Sequence, residues 1–179
     1  LAMSGGGTSG RDLLDGGAGS DTADFSGFNS AIWAELDYSG AEAWTRDTST
    51  LSSGTWRELA NFVSLENVIG SQHADWIGGD AASNTLRSGG GDDRLVMSIS
   101  ADAGTLDVFD GGAGYDITDF TSFNSAVWIA LSYNGAEVWT KGGTTLIGGS
   151  WSKIAKLVDV EKVIGSSQAD YMRGSSISN

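Results

Sequence analysis

The chain has 179 residues, with 27 Gly, no Pro, no Cys and a formal net charge of −13. That length carries one packed domain or two fused units; the missing cysteines exclude disulfide and thiol chemistry, and no apolar run is long enough to span a membrane. Only 10 residues are Lys or Arg, which argues against nucleic acid, whose phosphates call for basic side chains.

The acids are unevenly chosen: 17 of the 23 are Asp and 6 are Glu. Asp suits turns and metal loops, whereas Glu suits helices, so the acidity points to cations. No signal-peptide pattern is present.

In chain order, the first regular feature is a period of nine. Residues 7–15 ("GTSGRDLLD") and 16–24 ("GGAGSDTAD") carry Asp12 and Asp21 in sixth place. Residues 70–96 continue it as "GSQHADWIG", "GDAASNTLR" and "SGGGDDRLV", with Asp75, Asn84 and Asp93 in sixth place and Ile77, Leu86 and Leu95 in eighth. The register returns at 102–110, 111–119 and 165–173, supplying Asp107, Asp116 and Asp170. Fourteen of the 17 Asp fall within these nines, a concentration that a solvated acidic surface does not explain.

Above the nines lies a larger repeat. A shift of 95 residues aligns 15–84 with 110–179 without a gap, and 36 of the 70 pairs are identical. Asp21, Trp33, Trp44, Trp56, Glu66 and Asp75 meet Asp116, Trp128, Trp139, Trp151, Glu161 and Asp170. The chain therefore divides into units 1–96 (nines 7–24 and 70–96, insert 25–69) and 97–179 (nines 102–119 and 165–179, insert 120–164). The second copy stops at Asn179 opposite Asn84, as expected of a segment cut from a longer array. The period is ten nines plus five residues, "MSISA" being the surplus.

The phrase G-G-x-G-x-D-x-U-x, with U a large apolar residue, resembles the RTX nonapeptide, the hemolysin-type calcium-binding repeat of secreted bacterial proteins. "GGAGSDTAD" and "GGAGYDITD" match its loop half, and "SGGGDDRLV" departs only at its first place. The remaining nines keep the acid or amide and the apolar place, "DAGTLDVFD" most weakly, and "LENVIGSQHAD" and "VEKVIGSSQAD" look like the family's connectors. The resemblance implies an all-β fold, a parallel β-roll or β-solenoid with calcium-binding turns, in two tandem copies. It implies an extracellular protein exported by type I secretion, folding where calcium is plentiful.

Loop chemistry agrees. Ca²⁺ takes 6–8 oxygen ligands from carboxylates and carbonyls, and glycines let the backbone turn through positive φ. The expected ligand set is Asp12, Asp21, Asp75, Asn84, Asp93, Asp107, Asp116 and Asp170, with the loops of Gly16, Gly17, Gly19, Gly70, Gly89, Gly91, Gly111, Gly112, Gly114 and Gly165. Two nines make one turn of a flattened coil, so loop 70–75 should face loop 88–93 and clamp Ca²⁺ between Asp75 and Asp93, with Asn84 on the opposite edge. The competing expectation is a β-solenoid whose tight turns need no metal.

The inserts break the period. "AIWAELDYSGAEAWT" and "AVWIALSYNGAEVWT" read as hairpins turning at Ser39-Gly40 and Asn134-Gly135, pairing Leu36 with Ala43 and Leu131 with Val138. The other face carries Trp33, Glu42 and Trp44, and in the twin Trp128, Glu137 and Trp139. "TWRELANFV" and "SWSKIAKLV" place apolar residues at i, i+3, i+4 and i+7; they read as a helical turn or as an irregular strand. The tryptophan faces admit three fates: a buried satellite core, contact between segments or chains, or stacking on a polysaccharide or cell-surface glycan, as in the calcium-repeat modules of alginate-modifying epimerases. No nucleophile, base and orienter come together; the lone His73 faces Gln168 in the alignment, and Asp92-Asp93 falls inside a calcium loop. A non-catalytic module is expected.

Overall fold

The computed structural model describes residues 1–3, 11–37, 42–98, 104–131 and 136–174, and every regular element among them is a β-strand. The turns at Ser39-Gly40 and Asn134-Gly135, residues 7–10 of the opening nine, and residues 175–179 lie outside the described residues. No helix among the described residues is long and apolar enough to cross a membrane.

Each nine yields one short strand at its last three or four places, because the glycine-rich half cannot continue a ladder. The strands of the first unit are β1 (Asp12–Asp15), β2 (Thr22–Asp24), β3 (Ile32–Glu35), β4 (Glu42–Thr45), β5 (Arg57–Val63), β6 (Asn67–Ile69), β7 (Trp76–Gly78), β8 (Thr85–Arg87) and β9 (Arg94–Val96). Those of the second are β10 (Asp107–Asp110), β11 (Ile117–Asp119), β12 (Val127–Ala130), β13 (Ala136–Thr140), β14 (Ser152–Val158), β15 (Lys162–Ile164) and β16 (Tyr171–Arg173). They form two mixed eight-stranded sheets, ordered β1-β5-β4-β3-β7-β9-β11-β15 and β16-β12-β13-β14-β10-β8-β6-β2.

Between the inserts the chain changes sheet after every strand, and neighbours within a sheet run parallel. Thr85 lies opposite Asn67 and Arg94 opposite Trp76, eighteen residues apart. From β8 to β10 and from β9 to β11 the step widens to twenty-three, as Val108 opposite Thr85 and Ile117 opposite Arg94. The five surplus residues are therefore absorbed between β9 and β10, and the ladders resume in register. Each insert supplies an antiparallel meander within a single sheet, β3-β4-β5 in one and β12-β13-β14 in the other.

Two details of the inserts differ from the sequence expectation. Ala34 pairs with Ala43 and Ile129 with Val138, a slip of two residues from the expected Leu36–Ala43 and Leu131–Val138 pairs. The Leu36 N–H donates to Gly78 O and the Leu131 N–H to Arg173 O, so each strand continues along its parallel neighbour one residue past the end of its hairpin ladder. A slip of two preserves the faces.

The apparent helix is strand β5, and its twin β14. The ladder shifts between Ala43 and Trp44, which face Ala60 and Glu58, so Leu59 is an extra residue in a β-bulge. Leu59 and Ala60 are both buried, and two consecutive inward residues imitate helical spacing. Ile154 and Ala155 repeat this in the twin.

The core lies between the sheets. Eighth-place residues Ala23, Ile77, Leu86, Leu95, Phe109 and Thr118 have no exposed surface, and Leu14 is buried. Ala23 and Thr118 are small for this place, and Phe25 and Phe120, two residues on along the same face, fill the volume and are themselves fully buried. Phe109 meets Phe120 edge to face at 6.1 Å, tying the strands on either side of loop 111–116. Phe109→Ala should lower unfolding free energy by about 3–5 kcal/mol, measured by chemical denaturation; a loss below about 1 kcal/mol would contradict this packing.

Candidate metal centre: the stacked glycine–aspartate loops

Loops 70–75, 88–93 and 111–116 each join the second sheet to the first, and they stack on one edge. Loops 16–21 and 79–84 cross in the opposite direction and lie on the other edge, with Asn84, as expected.

One contact organises the first edge. The sixth-place carboxylate accepts a hydrogen bond from the backbone N–H of the residue one rung earlier. Asp75 Oδ1 accepts from Ile32 N at 2.8 Å, Asp93 Oδ1 from Asp75 N at 2.7 Å, and Asp116 Oδ1 from Asp93 N at 3.0 Å. Glu161 Oε2 closes the row by accepting from Asp116 N at 2.8 Å. On the other edge Glu66 Oε2 accepts from Asp21 N and Asp107 Oδ1 from Asn84 N. Asp170 Oδ1 accepts from Val127 N, matching Asp75 in the second copy. Glu66 and Glu161 were not expected as members of these rows, although their identity in both copies was visible in the alignment.

The first place of each nine is shaped by the same carboxylate, which folds back over it. A Cβ at Gly16 would lie 2.5 Å from Asp21 Cβ, at Gly70 2.5 Å from Asp75 Oδ2, at Gly111 2.6 Å from Asp116 Cβ, and at Gly165 2.3 Å from Asp170 Oδ2. These glycines are required by close approach. Positive φ is used at the second and fourth places: Gly17 and Gly19, Gly89 and Gly91, Gly112 and Gly114.

The loops thus fall into two kinds. In 70–75, 79–84 and 165–170 the second place is Ser71, Asp80 or Ser166, and that residue hydrogen-bonds the sixth-place group. Ser71 donates to Asp75 through N (2.5 Å) and Oγ (2.8 Å), Ser166 Oγ donates to Asp170 (2.7 Å), and Asn84 exchanges hydrogen bonds with Asp80. In the Gly-x-Gly loops 16–21, 88–93 and 111–116 no such donor exists, and Asp21 Oδ2, Asp93 Oδ2 and Asp116 Oδ2 are buried without a hydrogen-bond partner. Asp107 Oδ2 is a fourth orphan. Asp12 is exposed at the start of β1 and joins no row among the described residues.

Burial pushes the carboxyls of Asp75, Asp93 and Asp107 up to about 7 and that of Asp116 to about 6, opposed by their backbone hydrogen bonds. Neighbouring carboxylates add to the rise: Asp93 on Asp75, and Asp116 and Asp92 on Asp93. Such a site is short of positive charge. Among the described residues no three His, Cys, Asp or Glu side chains converge, so a cation here would draw on loop carbonyls plus a carboxylate from each rung. Orphaned carboxylate oxygens beside glycine backbone, with no sulfur or imidazole, fit a hard oxygen-seeking ion.

The tryptophan faces are open. Trp33, Glu42, Trp44 and Trp56 line a hollow of about 330 Å³ on the first sheet, and Trp128, Glu137, Trp139 and Trp151 one of about 480 Å³ on the second. Trp56 and Trp151 keep 42% and 47% of their surface exposed, so neither closes a satellite core over these faces. No family model matches the chain, and no curated protein is similar to it.

The raised carboxyls fix the pH response of the cation-free chain. Unfolded Asp titrates near 3.9, so between about pH 4 and pH 7 the native state holds more protons than the unfolded state, and stability falls as pH rises. Melting in EDTA should therefore be higher at pH 5 than at pH 8; a higher melting temperature at pH 8 would contradict the buried, unpaired carboxylates.

Proposed function

We propose that the chain is a calcium-binding repeat region of RTX type, a parallel β-roll within a larger secreted bacterial protein, which folds outside the cell as calcium binds. The observation that carries this reading is the orphaned second oxygen of Asp21, Asp93 and Asp116, one in each loop with Gly in both the second and the fourth place; Asp107 carries a further orphan outside that pattern. A buried carboxylate oxygen without a partner costs free energy that a bound cation would remove.

Asp93 and Asp116, on adjacent rungs and each with one unpartnered oxygen, are the foremost carboxylate pair in this reading; Asp75, saturated by Ser71 and Ile32, acts as the metal-independent end of the row. Bound calcium would supply the positive charge that these carboxylates lack and would take its oxygen ligands from them and from the loop carbonyls. The chain's part is to hold the carboxylates one rung apart, turn loop carbonyls through the positive-φ glycines, and exclude water with the packed eighth-place side chains. Export as type I substrate and folding in millimolar calcium follow from the resemblance, and no catalytic role is assigned.

The open tryptophan hollows favour a second reading, a calcium-dependent module that binds a polysaccharide or cell surface. Aromatic faces left half-exposed on both sheets are available to a ligand.

Calcium should raise the melting temperature of the wild-type chain in EDTA-treated buffer, by an increment that grows with calcium concentration, and magnesium should not replace it. Asp93→Asn with Asp116→Asn should remove most of this increment while leaving the EDTA melt intact or higher. Asp75→Asn should retain it. A full calcium increment in the Asp93/Asp116 double variant would refute the assignment.

A further inference from the structure

The two hollows are built alike but charged differently. In the first, Trp33 and Trp44 face each other across the β3–β4 ladder, with Glu42 two residues from Trp44 on the same outer face. Trp33 stacks on Trp76 with centroids 5.2 Å apart, and Arg46 sits 4.4 Å over the Trp56 ring. The standing stack and the cation brace two of the walls. In the second, Lys141 takes the place of Arg46, 4.8 Å over Trp151, and Tyr171 that of Trp76, stacked on Trp128. Both copies thus keep a cation against an indole face despite the Arg-to-Lys exchange.

The carboxylates differ. Glu137 is neutralised by Lys153 Nζ at 2.9 Å and also accepts from Trp139 Nε1. In the first copy the position of Lys153 holds Glu58, and Glu42 has no ion pair or hydrogen bond among the described residues. Glu35, directly across the ladder from Glu42, adds a second acid where the twin has Ala130. Burial first, and then Asp37 nearby, push Glu35 up to about 7, so the unpaired Glu42 is the carboxylate that charges this hollow.

We propose that the first hollow, formed by Trp33, Trp44, Trp56 and Glu42, is an aromatic cage for a quaternary ammonium group. This rests on the reading that the tryptophan hollows bind a ligand, and it names the chemistry of that ligand. A sugar ring stacks through its C–H faces but carries hydroxyls around its rim, and the three indoles and one carboxylate that line the hollow among the described residues satisfy few of them. A trimethylammonium group has a methylated surface, no hydrogen-bond donor and a positive charge, which indole faces and an unpaired carboxylate complement. The second hollow has its carboxylate already paired and lacks the excess charge to hold such a group.

The test is an intrinsic-fluorescence titration of the full chain with calcium present, using choline chloride and, as an uncharged isostere, 3,3-dimethylbutan-1-ol. Choline should bind one site per chain at least about tenfold more tightly than the isostere. Glu42→Gln should weaken choline by about tenfold with an unchanged melt, and Lys153→Ala should raise the stoichiometry from one to two. Adding phosphatidylcholine vesicles separates the sources: co-sedimentation assigns a lipid head group, and choline binding without it assigns a soluble or glycan-borne one. Equal binding of the isostere, an unaffected Glu42→Gln variant, or two equal sites in the wild type would overturn the proposal. Retention on a polysaccharide without any response to choline would overturn it while leaving the glycan reading intact; loss of both would remove both.

Discussion

The structure turns on one hydrogen bond, repeated: a buried sixth-place carboxylate accepts the backbone N–H of the residue a rung away. The contact joins Ile32 to Asp75, Asp75 to Asp93 and Asp93 to Asp116, spanning sequence separations of 43, 18 and 23 residues. It therefore survives both the 45-residue insert and the five-residue surplus. Because the acceptor must fold back over the first place of its own loop, that place among the described residues is Gly or, at Ser88, a small side chain whose hydroxyl turns away to donate to Gly111 O. Loop shape and strand register follow from this side chain, and at Asp93 and Asp116 one oxygen is given to the fold and one is left over.

Much of this was legible in the sequence, because the constraint repeats. The nines located the short strands, the eighth place located the core except at Met172, which stays exposed, and successive nines alternate between the two sheets. The inserts were less transparent. The consecutive inward pair Leu59-Ala60 copies helical spacing through a bulge, and nothing in "TWRELANFV" distinguishes the two. The hairpin register was missed for a different reason: a two-residue turn at Ser39-Gly40 or Asn134-Gly135 requires pairs that sum two residues higher than the observed Ala34–Ala43 and Ile129–Val138, and turn composition alone does not fix loop length. The distinction between loop kinds was written in the second place, Ser71, Asp80 and Ser166 against Gly17, Gly89 and Gly112, but its meaning needed the hydrogen bonds. Glu66 and Glu161 were visible as invariant between the copies, and their service as stand-ins for a missing Asp was not.

Duplication has a further consequence here. The odd number of sheet crossings between the copies sends the first meander to one sheet and the second to the other, so the twin aromatic hollows sit on different sheets. Their scaffolds stayed alike, down to the cation over Trp56 and Trp151, while the charge beside them diverged through Glu58 and Lys153. The inner machinery tolerates little change, since a Cβ at Gly114 would fall 1.8 Å from Gly91 O; the outer face is free to vary, and it has.

The most direct measurement is a carbon-detected NMR titration of the aspartate carboxyls, in EDTA and with saturating calcium. In EDTA, the calcium-free folded chain should titrate Asp93 and Asp116 near 7 and 6, whereas an unfolded chain would titrate both near 3.9. With calcium both should stay ionised to well below pH 4, as a bound cation favours the charged form, while the saturated Asp75 should shift least. If Asp93 and Asp116 titrate identically with and without calcium, the leftover oxygens are not metal ligands and the central claim fails.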